Sequence, residues 1–271
     1  MYEYGLKANK RLGQNFLIDR NIIDKITGFA DLSGADVVLE IGAGLGNITA
    51  DIAGRARKVI AVEFDKGLFA AMKSNLNGCK NVELFCSDIL KFDIRPYSNE
   101  GKIKVIGNLP FYITTPVLEY LMENRAYIKE ALLMVQKELG KRLLAGAGSK
   151  LCGSISCYVS YYADLKLKSV VKRTCFFPRP DVDSVLLHLE ILDKPSAEVN
   201  DEKLLFKIIR TAYSQRRKML LSSLSNKNAL GMDKGQIKDI LIEAGISPER
   251  RPESLTLKEF ARISNGFPEK N

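Results

Sequence analysis

Near the middle of the chain, the tetrapeptide Asn108–Phe111 carries groups that could hold an amino group attached to an aromatic ring. It follows the short apolar run Val105–Gly107, which predicts a buried strand ending at this point. The lone pair of such an amine is conjugated with its ring, so the nitrogen is a poor nucleophile until its two hydrogens are accepted. The amide oxygen of Asn108 and the carbonyl of Leu109 can accept them, and the Phe111 ring can stack on a base swung out of its helix. The tetrapeptide therefore favours methyl transfer to an exocyclic amine of a base, with an ordinary X-Pro turn as the alternative.

A glycine-rich turn upstream predicts a ligand-binding loop after the first strand of the sheet. Gly42, Gly44 and Gly46 occupy every second position, and glycine lets the backbone approach a ligand closely and adopt positive φ. The spacing differs from the G-x-G-x-x-G dinucleotide pattern because the third glycine comes one residue early. The turn also lacks the Gly-Lys-Ser/Thr ending of a P-loop.

Two carboxylates at later strand ends favour a nucleoside as the ligand. Glu63 ends the second predicted strand, about 20 residues beyond the turn, where a carboxylate can accept hydrogen bonds from both ribose hydroxyls. Asp88 follows the third predicted strand and can accept a hydrogen bond from an adenine amino group. A pocket lined by these strand ends is what S-adenosylmethionine needs. The alternative is that both residues are solvated loop carboxylates.

Composition limits the class of protein and of partner. The chain has 271 residues, which suits one large domain plus one small domain. Its net charge of +9 favours a polyanionic partner such as nucleic acid through counterion release, although a generally basic proteome would give the same excess. No apolar run approaches the roughly 20 residues that span a bilayer. The N-terminus also lacks a secretory apolar core, so we expect a cytoplasmic protein without a membrane partner.

Cysteine and histidine usage argues against a metal site. The five cysteines lack CxxC spacing and are expected to be reduced. The single histidine, His188, lies in an alternating run and is expected on the exposed face of a strand. One histidine without cysteine pairs makes neither a zinc site nor a Ser-His-Asp triad, so no metal is expected.

The order of apolar and helical segments predicts an α/β fold. Apolar runs alternate with helical periods over the first half of the chain, which is typical of a doubly wound, mostly parallel, Rossmann-like sheet. The predicted strands are Val37–Ile41, Val59–Glu63, Val82–Cys86, Ile103–Leu109 and Ala131–Val135, and the predicted helices are Asn21–Phe29, Asn47–Gly54, Lys66–Leu76, Pro116–Met122 and Glu138–Leu144.

The alternation of predicted strands and helices ends in the second half of the chain. Leu165–Val171 and Val182–Ile191 predict an antiparallel hairpin at the sheet edge, because no helix separates them. Beyond the predicted linker at residues 193–196, all segments have helical periods. We therefore expect a catalytic domain over residues 1–193, with an N-terminal arm, and an all-helical domain over residues 197–271. The predicted helices of that second domain are Glu202–Tyr213, Gln215–Leu224, Lys234–Glu243 and Leu257–Ile263.

Taken together and in order, these motifs resemble those of the ribosomal RNA adenine dimethyltransferase family, and most closely its bacterial small-subunit branch. The resemblance covers nearly the whole chain. The segments that carry it are Arg11–Leu17, the glycine turn, Glu63, Ser87-Asp88, Gly107–Phe111, Thr115-Pro116, Phe176–Ser184 and Gln215–Lys218.

The resemblance implies a site and a chemistry. It implies that S-adenosylmethionine is the cofactor and that the target adenine is held by Asn108, the Leu109 carbonyl and Phe111. Many relatives have Tyr at the position of Phe111, and Phe keeps the stacking face. Phe176 could edge the base pocket, with its neighbour Phe177 as a rival. The implied cofactor-binding residues are Asn15, Leu17, Gly42, Glu63, Asp88 and Asn108, and the implied catalytic residues are Asn108, Leu109, Pro110 and Phe111.

The resemblance further implies a substrate. In the small-subunit branch, two adjacent adenines in a hairpin loop of 16S rRNA become N6,N6-dimethyladenine within the immature small ribosomal subunit, and the enzyme acts as a monomer. Leu109 and the Gln215–Lys218 segment favour this branch over the antibiotic-resistance enzyme of the large-subunit RNA. A DNA adenine methyltransferase and a non-catalytic RNA-binding assembly factor are further alternatives. The basic residues expected to contact RNA are Lys7, Lys10, Arg11, Lys137, Lys141, Arg142, Arg216, Arg217 and Lys218.

Overall fold

The computed structural model describes residues 13–146, 149–215, 217–226 and 229–268. The chain divides into two compact units. The first contains the described residues up to Gly140 together with Asp164–Ile191, and the second contains Lys141–Ala163 together with the described residues from Leu192 onward. A division at residues 193–197, as expected from the sequence, assigns Lys141–Ala163 to the catalytic domain. The structure instead groups this segment with the C-terminal helices.

A seven-stranded sheet forms the centre of the first unit, in the spatial order β4-β3-β2-β5-β6-β9-β7. The pairs β2–β3, β3–β4, β2–β5 and β5–β6 are parallel, and β9 runs antiparallel to β6. This arrangement confirms the predicted Rossmann-like α/β fold with its change of direction near one edge. The strands are β2 (Val37–Ile41), β3 (Lys58–Glu63), β4 (Val82–Cys86), β5 (Ile103–Asn108), β6 (Ile128–Gln136), β7 (Ala163–Val171) and β9 (Ser184–Ile191).

Helices follow four of the parallel strands, β2, β3, β5 and β6, as the sequence predicts. Every residue of Val37–Ile41 is buried, which fits a central parallel strand covered on both faces. Aspartates begin two of the helices: Asp19 accepts a hydrogen bond from the Asn21 backbone, and Asp65 accepts from the backbone of Gly67 and Leu68. The helices are α1 (Arg20–Phe29), α2 (Asn47–Ala53), α3 (Lys66–Asn75), α4 (Thr114–Glu123) and α5 (Lys137–Leu144).

A second, two-stranded sheet was not foreseen from the sequence. The strand β1 (Phe16–Leu17) pairs antiparallel with β8 (Phe176–Phe177), so that Phe16 lies opposite Phe177 and Leu17 opposite Phe176. The Ile18 amide continues the ladder by donating to the Cys175 carbonyl at 2.9 Å. The segment that precedes α1 is thereby fixed against the loop that precedes β9.

The second unit consists of helices: α6 (Ser154–Tyr162), α7 (Glu202–Ser214), α8 (Leu220–Leu224), α9 (Lys234–Glu243) and α10 (Leu257–Asn265). The sequence had not predicted α6. Its Tyr161 ring packs against Phe206 of α7 at 5.2 Å between centroids, and the Tyr162 hydroxyl donates to Glu202 of α7 at 2.6 Å. These contacts explain why Lys141–Ala163 groups with the C-terminal helices. Among the described residues, no helix is long and apolar enough to cross a membrane.

The predicted start of α8 is wrong. The pattern suggested a helix from Gln215, but the helix begins at Leu220. The amides of Leu220 and Leu221 donate to the carbonyls of Arg250 and Pro248, at 2.7 and 3.1 Å, in place of carbonyls one turn earlier. The preceding residues form a turn in which the Lys218 amide donates to the Gln215 carbonyl at 2.8 Å.

A buried ionic cluster joins three strands of the large sheet. Lys104 of β5 is only 6% exposed, and its ammonium donates to the carbonyls of Ala30 and Asp31 at 3.0 and 2.7 Å. It also lies 3.1 Å from the Glu130 carboxylate of β6, which is 2.6 Å from His188 Nε2 of β9. His188 was expected on an exposed strand face. That expectation is wrong, because its side chain is only 12% exposed and bonded to Glu130.

Removing the Lys104 charge should destabilise the fold. Lys104→Met leaves Glu130 half-buried with one partner fewer, and we expect a loss of about 3–5 kcal/mol in the free energy of unfolding. Urea denaturation at pH 7 measures the loss. Lys102→Met is the matched control, because Lys102 is exposed and directly precedes the same strand. Equal denaturation midpoints for the two variants would contradict the assigned role.

The same cluster sets an acid dependence. Burial raises the pKa of Glu130, but hydrogen bonds from His188 and Lys104 outweigh it, so the pKa lies below its ordinary value. A carboxyl whose pKa is lower in the folded state contributes stability at neutral pH, and this contribution is lost as the pH falls through the lowered pKa. In Lys104→Met the pKa of Glu130 is no longer lowered by the ammonium, so less stability should be lost between neutral and acid pH than in the wild type, which denaturation midpoints over an acid pH series would record.

Candidate active site at the carboxyl edge of the sheet

A cavity of about 480 Å³ opens in the first unit where β2, β3, β4 and β5 end. It brings together nearly all of the residues that the sequence singled out. The predicted site residues that line it are Asn15, Gly42, Glu63, Asp88, Asn108, Leu109, Pro110 and Phe111. Leu17 is the exception, because its side chain is 4% exposed and packs in the hydrophobic core.

The glycine turn forms the floor of the cavity next to β5. Gly42 has φ +73° and its amide donates to the Val62 carbonyl at 2.9 Å. A Cβ at position 42 would lie 3.6 Å from the carbonyl oxygen of Asn108. At Gly46, where φ is +84°, a Cβ would lie 2.9 Å from the Leu76 side chain. Positive φ favours glycine at both positions, and at Gly46 close packing against Leu76 also excludes a side chain.

Glu63 is the buried carboxylate of the cavity. It is 7% exposed, and its two oxygens accept hydrogen bonds from the amides of Gly44 and Asp65, each at 2.8 Å. Burial raises the pKa of Glu63, while the hydrogen bonds from Asp65 and Gly44 oppose the shift. Each oxygen retains a second lone pair. Glu63 can therefore accept a further hydrogen bond from a ligand in the cavity.

Asp88 lies at the end of β4, on the same side of the cavity as Glu63. Its Oδ1 accepts from the Leu90 amide at 3.0 Å, which begins a short 3₁₀ helix. The Ser87 amide donates to the Glu63 carbonyl at 3.0 Å, so the ends of β3 and β4 are tied together. The two carboxylates thus occupy neighbouring positions at one end of the cavity.

The tetrapeptide forms the other end. Asn108 is the last residue of β5, and its Nδ2 donates to the Asn15 carbonyl at 3.2 Å. The Leu109 amide donates to the Met134 carbonyl of β6 at 3.2 Å, and the Thr114 hydroxyl donates to the Pro110 carbonyl at 3.1 Å. These bonds fix the tetrapeptide between β6 and the start of α4.

The two phenylalanines of β8 take different positions. Phe176 is 4% exposed and lines the cavity, whereas Phe177 is 43% exposed and does not. The geometry favours Phe176 as the ring beside a bound base. The alternation of side chains along a strand explains the difference, because neighbouring residues point to opposite faces.

Several lining residues were missed from the sequence. Tyr112 is 53% exposed at the cavity mouth, and its pKa is raised by burial and by the negative charges of Asp88 and Glu63. Gln14 lines the cavity from the N-terminal segment and donates to Asp65 at 3.1 Å. Tyr112 directly follows the tetrapeptide, which is the one signal that could have found it. Among the described residues, no group of three His, Cys, Asp or Glu side chains is placed to hold a metal ion.

The predicted basic surface is described only in part. Lys7, Lys10, Arg11 and Arg216 lie outside the described residues. On α5, Lys141 and Arg142 are exposed, and Lys137 lies 3.7 Å from the Asp183 carboxylate. The remaining two, Arg217 and Lys218, are exposed in the turn that precedes α8.

Comparison with known proteins places this geometry in a family. A sequence profile of the family described as ribosomal RNA adenine dimethylase matches residues 5–266. The protein named ribosomal RNA small subunit methyltransferase A from Moorella thermoacetica is 45% identical over 97% of this chain and 93% of its own length. The protein of the same name from Bacillus cereus strain B4264 is 40% identical over 98% of this chain and 93% of its own length.

Solved structures agree with the fold. The dimethyladenosine transferase from Plasmodium falciparum superposes with a TM-score of 0.74 at 25% identity, covering 92% of this chain and 95% of that one. The 23S rRNA methyltransferase ErmE superposes with a TM-score of 0.70 at 23% identity, covering 93% and 98%, which establishes the shared fold alone. From the profile match and the near full-length relatives, we conclude that this chain belongs to the ribosomal RNA adenine dimethylase family.

Proposed function

We propose that this protein transfers methyl groups from S-adenosylmethionine to N6 of two adjacent adenines in a 16S rRNA hairpin loop, giving N6,N6-dimethyladenine. One observation carries the proposal: a single cavity joins the carboxylates Glu63 and Asp88 at one end to the Asn108–Phe111 tetrapeptide at the other. The relatives named ribosomal RNA small subunit methyltransferase A support the choice of ribosomal subunit.

The residues of the cavity fit S-adenosylmethionine. The volume of about 480 Å³ lies within the range of pockets that bind small molecules. Glu63 has acceptor capacity for ribose hydroxyls, Asp88 can accept from the adenine amino group, and Gly42 leaves the turn open where a side chain would intrude. When bound, the cofactor supplies a methyl group activated by a positively charged sulfur.

The tetrapeptide performs the recognition of the target amine. The Asn108 amide oxygen and the Leu109 carbonyl accept its two hydrogens, which localises the lone pair on nitrogen. Phe111 and Phe176 pack on the faces or edge of the extruded base. The amine becomes acidic once it carries a methyl group and a positive charge, so its proton can pass to water. For the second transfer, one remaining hydrogen satisfies one acceptor, and the cavity must admit the first methyl group.

The second unit is proposed to recognise folded RNA. Its exposed cations include Lys141, Arg142, Arg217 and Lys218, which suit phosphate contacts. Such contacts position a nucleic acid without reading its bases. We assign the immature small subunit as the partner, a monomer as the active form and the cytoplasm as the location.

Glu63→Gln should weaken binding of S-adenosylmethionine. The glutamine side chain removes the negative charge and directs an NH2 donor at the Gly44 or Asp65 backbone amide, which is itself a donor. We therefore expect a loss of about 1.5–3 kcal/mol in the binding free energy of the cofactor. Isothermal titration calorimetry measures it. Glu83→Gln is the matched control, because Glu83 is exposed on β4 and pairs with Lys58 outside the cavity. Equal affinities of the two variants would refute the assignment.

The wild-type affinity should also depend on pH. Burial raises the pKa of Glu63. The carboxylate that accepts from the ligand is therefore protonated at a higher pH than an ordinary glutamate. The affinity should therefore decline on mild acidification in the wild type, and this decline should be absent in Glu63→Gln.

Asn108→Ala should impair methyl transfer far more than RNA binding. The variant loses one of two acceptors that act on the reacting nitrogen, and a loss on the order of 100-fold or more in the single-turnover rate is expected. RNA affinity at fixed salt should change little, because phosphate contacts dominate it. A near-normal transfer rate at saturating cofactor would rule out the role of Asn108.

The choice of substrate is tested directly. The purified protein is incubated with methyl-labelled S-adenosylmethionine and either small subunits, naked 16S rRNA or 23S rRNA. We expect label in two adjacent adenines of the small-subunit RNA, with two methyl groups on each. Labelling of 23S rRNA alone would instead show that this protein acts on the large-subunit RNA, as the name of the 23S rRNA methyltransferase ErmE states for that protein.

A further inference from the structure

The side-chain amide of Asn108 has a fixed orientation. Its Nδ2 lies 3.2 Å from the backbone carbonyl of Asn15, which can only accept a hydrogen bond. An amide turned by half a rotation would place two oxygens against each other. Asn108 lines the cavity, and no described residue donates to its Oδ1, so this oxygen has the capacity to accept a hydrogen bond from a ligand. The Asn15 carbonyl therefore selects which half of the amide a ligand meets.

The segment that supplies this carbonyl is held on both sides. Before it, Gln14 donates to Asp65 Oδ2 at 3.1 Å. After it, Phe16 and Leu17 pair with the strand Phe176–Phe177. The segment therefore crosses the carboxyl edge of the sheet from the end of β3 to the end of β5.

The anchor at Asp65 belongs to the cofactor side of the cavity. Asp65 caps α3 through the amides of Gly67 and Leu68, and its own amide donates to Glu63 at 2.8 Å. Its second oxygen is the one that accepts from Gln14. If Gln14 lost its bond to Asp65, the neighbouring Asn15 carbonyl would no longer be anchored to the part of the cavity that contains Glu63.

We propose that residues 13–17 are a positioning segment for methyl transfer, in which the Asn15 carbonyl holds the Asn108 amide with its acceptor toward the reacting nitrogen. The contact between Gln14 and Asp65 keeps that carbonyl in place. The inference rests on the proposed function. Its chemical reason is that an amine with two hydrogens needs acceptors, and a rotated Asn108 would present a donor instead.

Asn108→Asp tests the proposal with a nearly isosteric side chain. As a carboxylate it has no hydrogen to donate to Asn15, so two oxygens face each other at neutral pH. As a protonated acid it has one O–H donor and one carbonyl acceptor, which restores the wild-type arrangement. The single-turnover rate of the variant should be at least 10-fold below wild type at pH 7.5. Its ratio to the wild-type rate should rise as the pH falls through the pKa of the new carboxyl.

The ratio isolates the new group. The other titratable side chains that line the cavity, Glu63, Asp88 and Tyr112, are common to both proteins, so their protonation cancels. A misfolded variant would not recover on acidification. A ratio near one at pH 7.5, or a low ratio that stays constant with pH, would overturn the proposal. Lack of transfer by the wild type itself would instead refute the proposed function.

Gln14→Leu tests the anchor separately. The leucine fills similar space but cannot donate to Asp65. We expect a several-fold lower single-turnover rate at saturating cofactor and RNA, with RNA affinity unchanged. In the double variant with Asn108→Asp, the Gln14 change should have a smaller effect at pH 7.5, because the carbonyl has already lost its donor. An unchanged rate in Gln14→Leu, or fully multiplicative effects in the double variant, would remove the anchor from the proposal.

Discussion

Parallel pairing of β2 with β3 on one side and with β5 on the other determines where the groups of the active site lie. The chain moves outward from β2 to β3 and β4, and then returns to place β5 on the opposite side of β2. Ile41 is level with Val62 and with Gly107 in the two registers. The residues that follow these three positions, Gly42, Glu63 and Asn108, must therefore meet at one edge. A crevice at the carboxyl ends, where the strand order reverses, is the expected place for a ligand in such a sheet.

Two buried carboxyl groups, Glu40 and Glu63, lie near that edge, and their surroundings differ. Burial raises the pKa of Glu40 to about 8, with a smaller opposing effect of the Thr49 hydroxyl and a further rise from Glu63. Glu40 is therefore mainly neutral at pH 7. Glu63 has two backbone amides directed at its oxygens, which favour the charged form. A neutral Glu40 adds no second negative charge beside Glu63 at the glycine turn.

The local pattern of the sequence was enough to predict the large sheet but not the small one. Val37–Ile41 is apolar apart from Glu40 and lies between turn residues, which identifies a buried strand without any tertiary information. Phe16–Leu17 has only two residues, too few to show a period, and its partner lies about 160 residues away. For the same reason the bond between Asn108 and Asn15 could not be predicted, although both residues were implied by family resemblance. The sequence did not predict the helix α6, because its aromatic residues show little amphipathic contrast. Its stability depends on contacts with Phe206 and Glu202 of α7, which are distant in the sequence.

The cavity and the choice of RNA are separate physical problems. In the proposed function the cavity residues recognise one adenine and one cofactor, and those requirements are the same for any RNA that presents an unstacked adenine. The likeness to ErmE shows the fold alone, and a fold by itself does not decide which RNA a protein binds. Phosphate contacts alone do not decide it either, because they carry no sequence information. Selection must instead depend on where the cations and other exposed side chains of this chain match the shape of a folded RNA. Such a match requires exposed residues such as Arg217 and Lys218 to lie close to phosphates in one folded RNA but not in other RNAs.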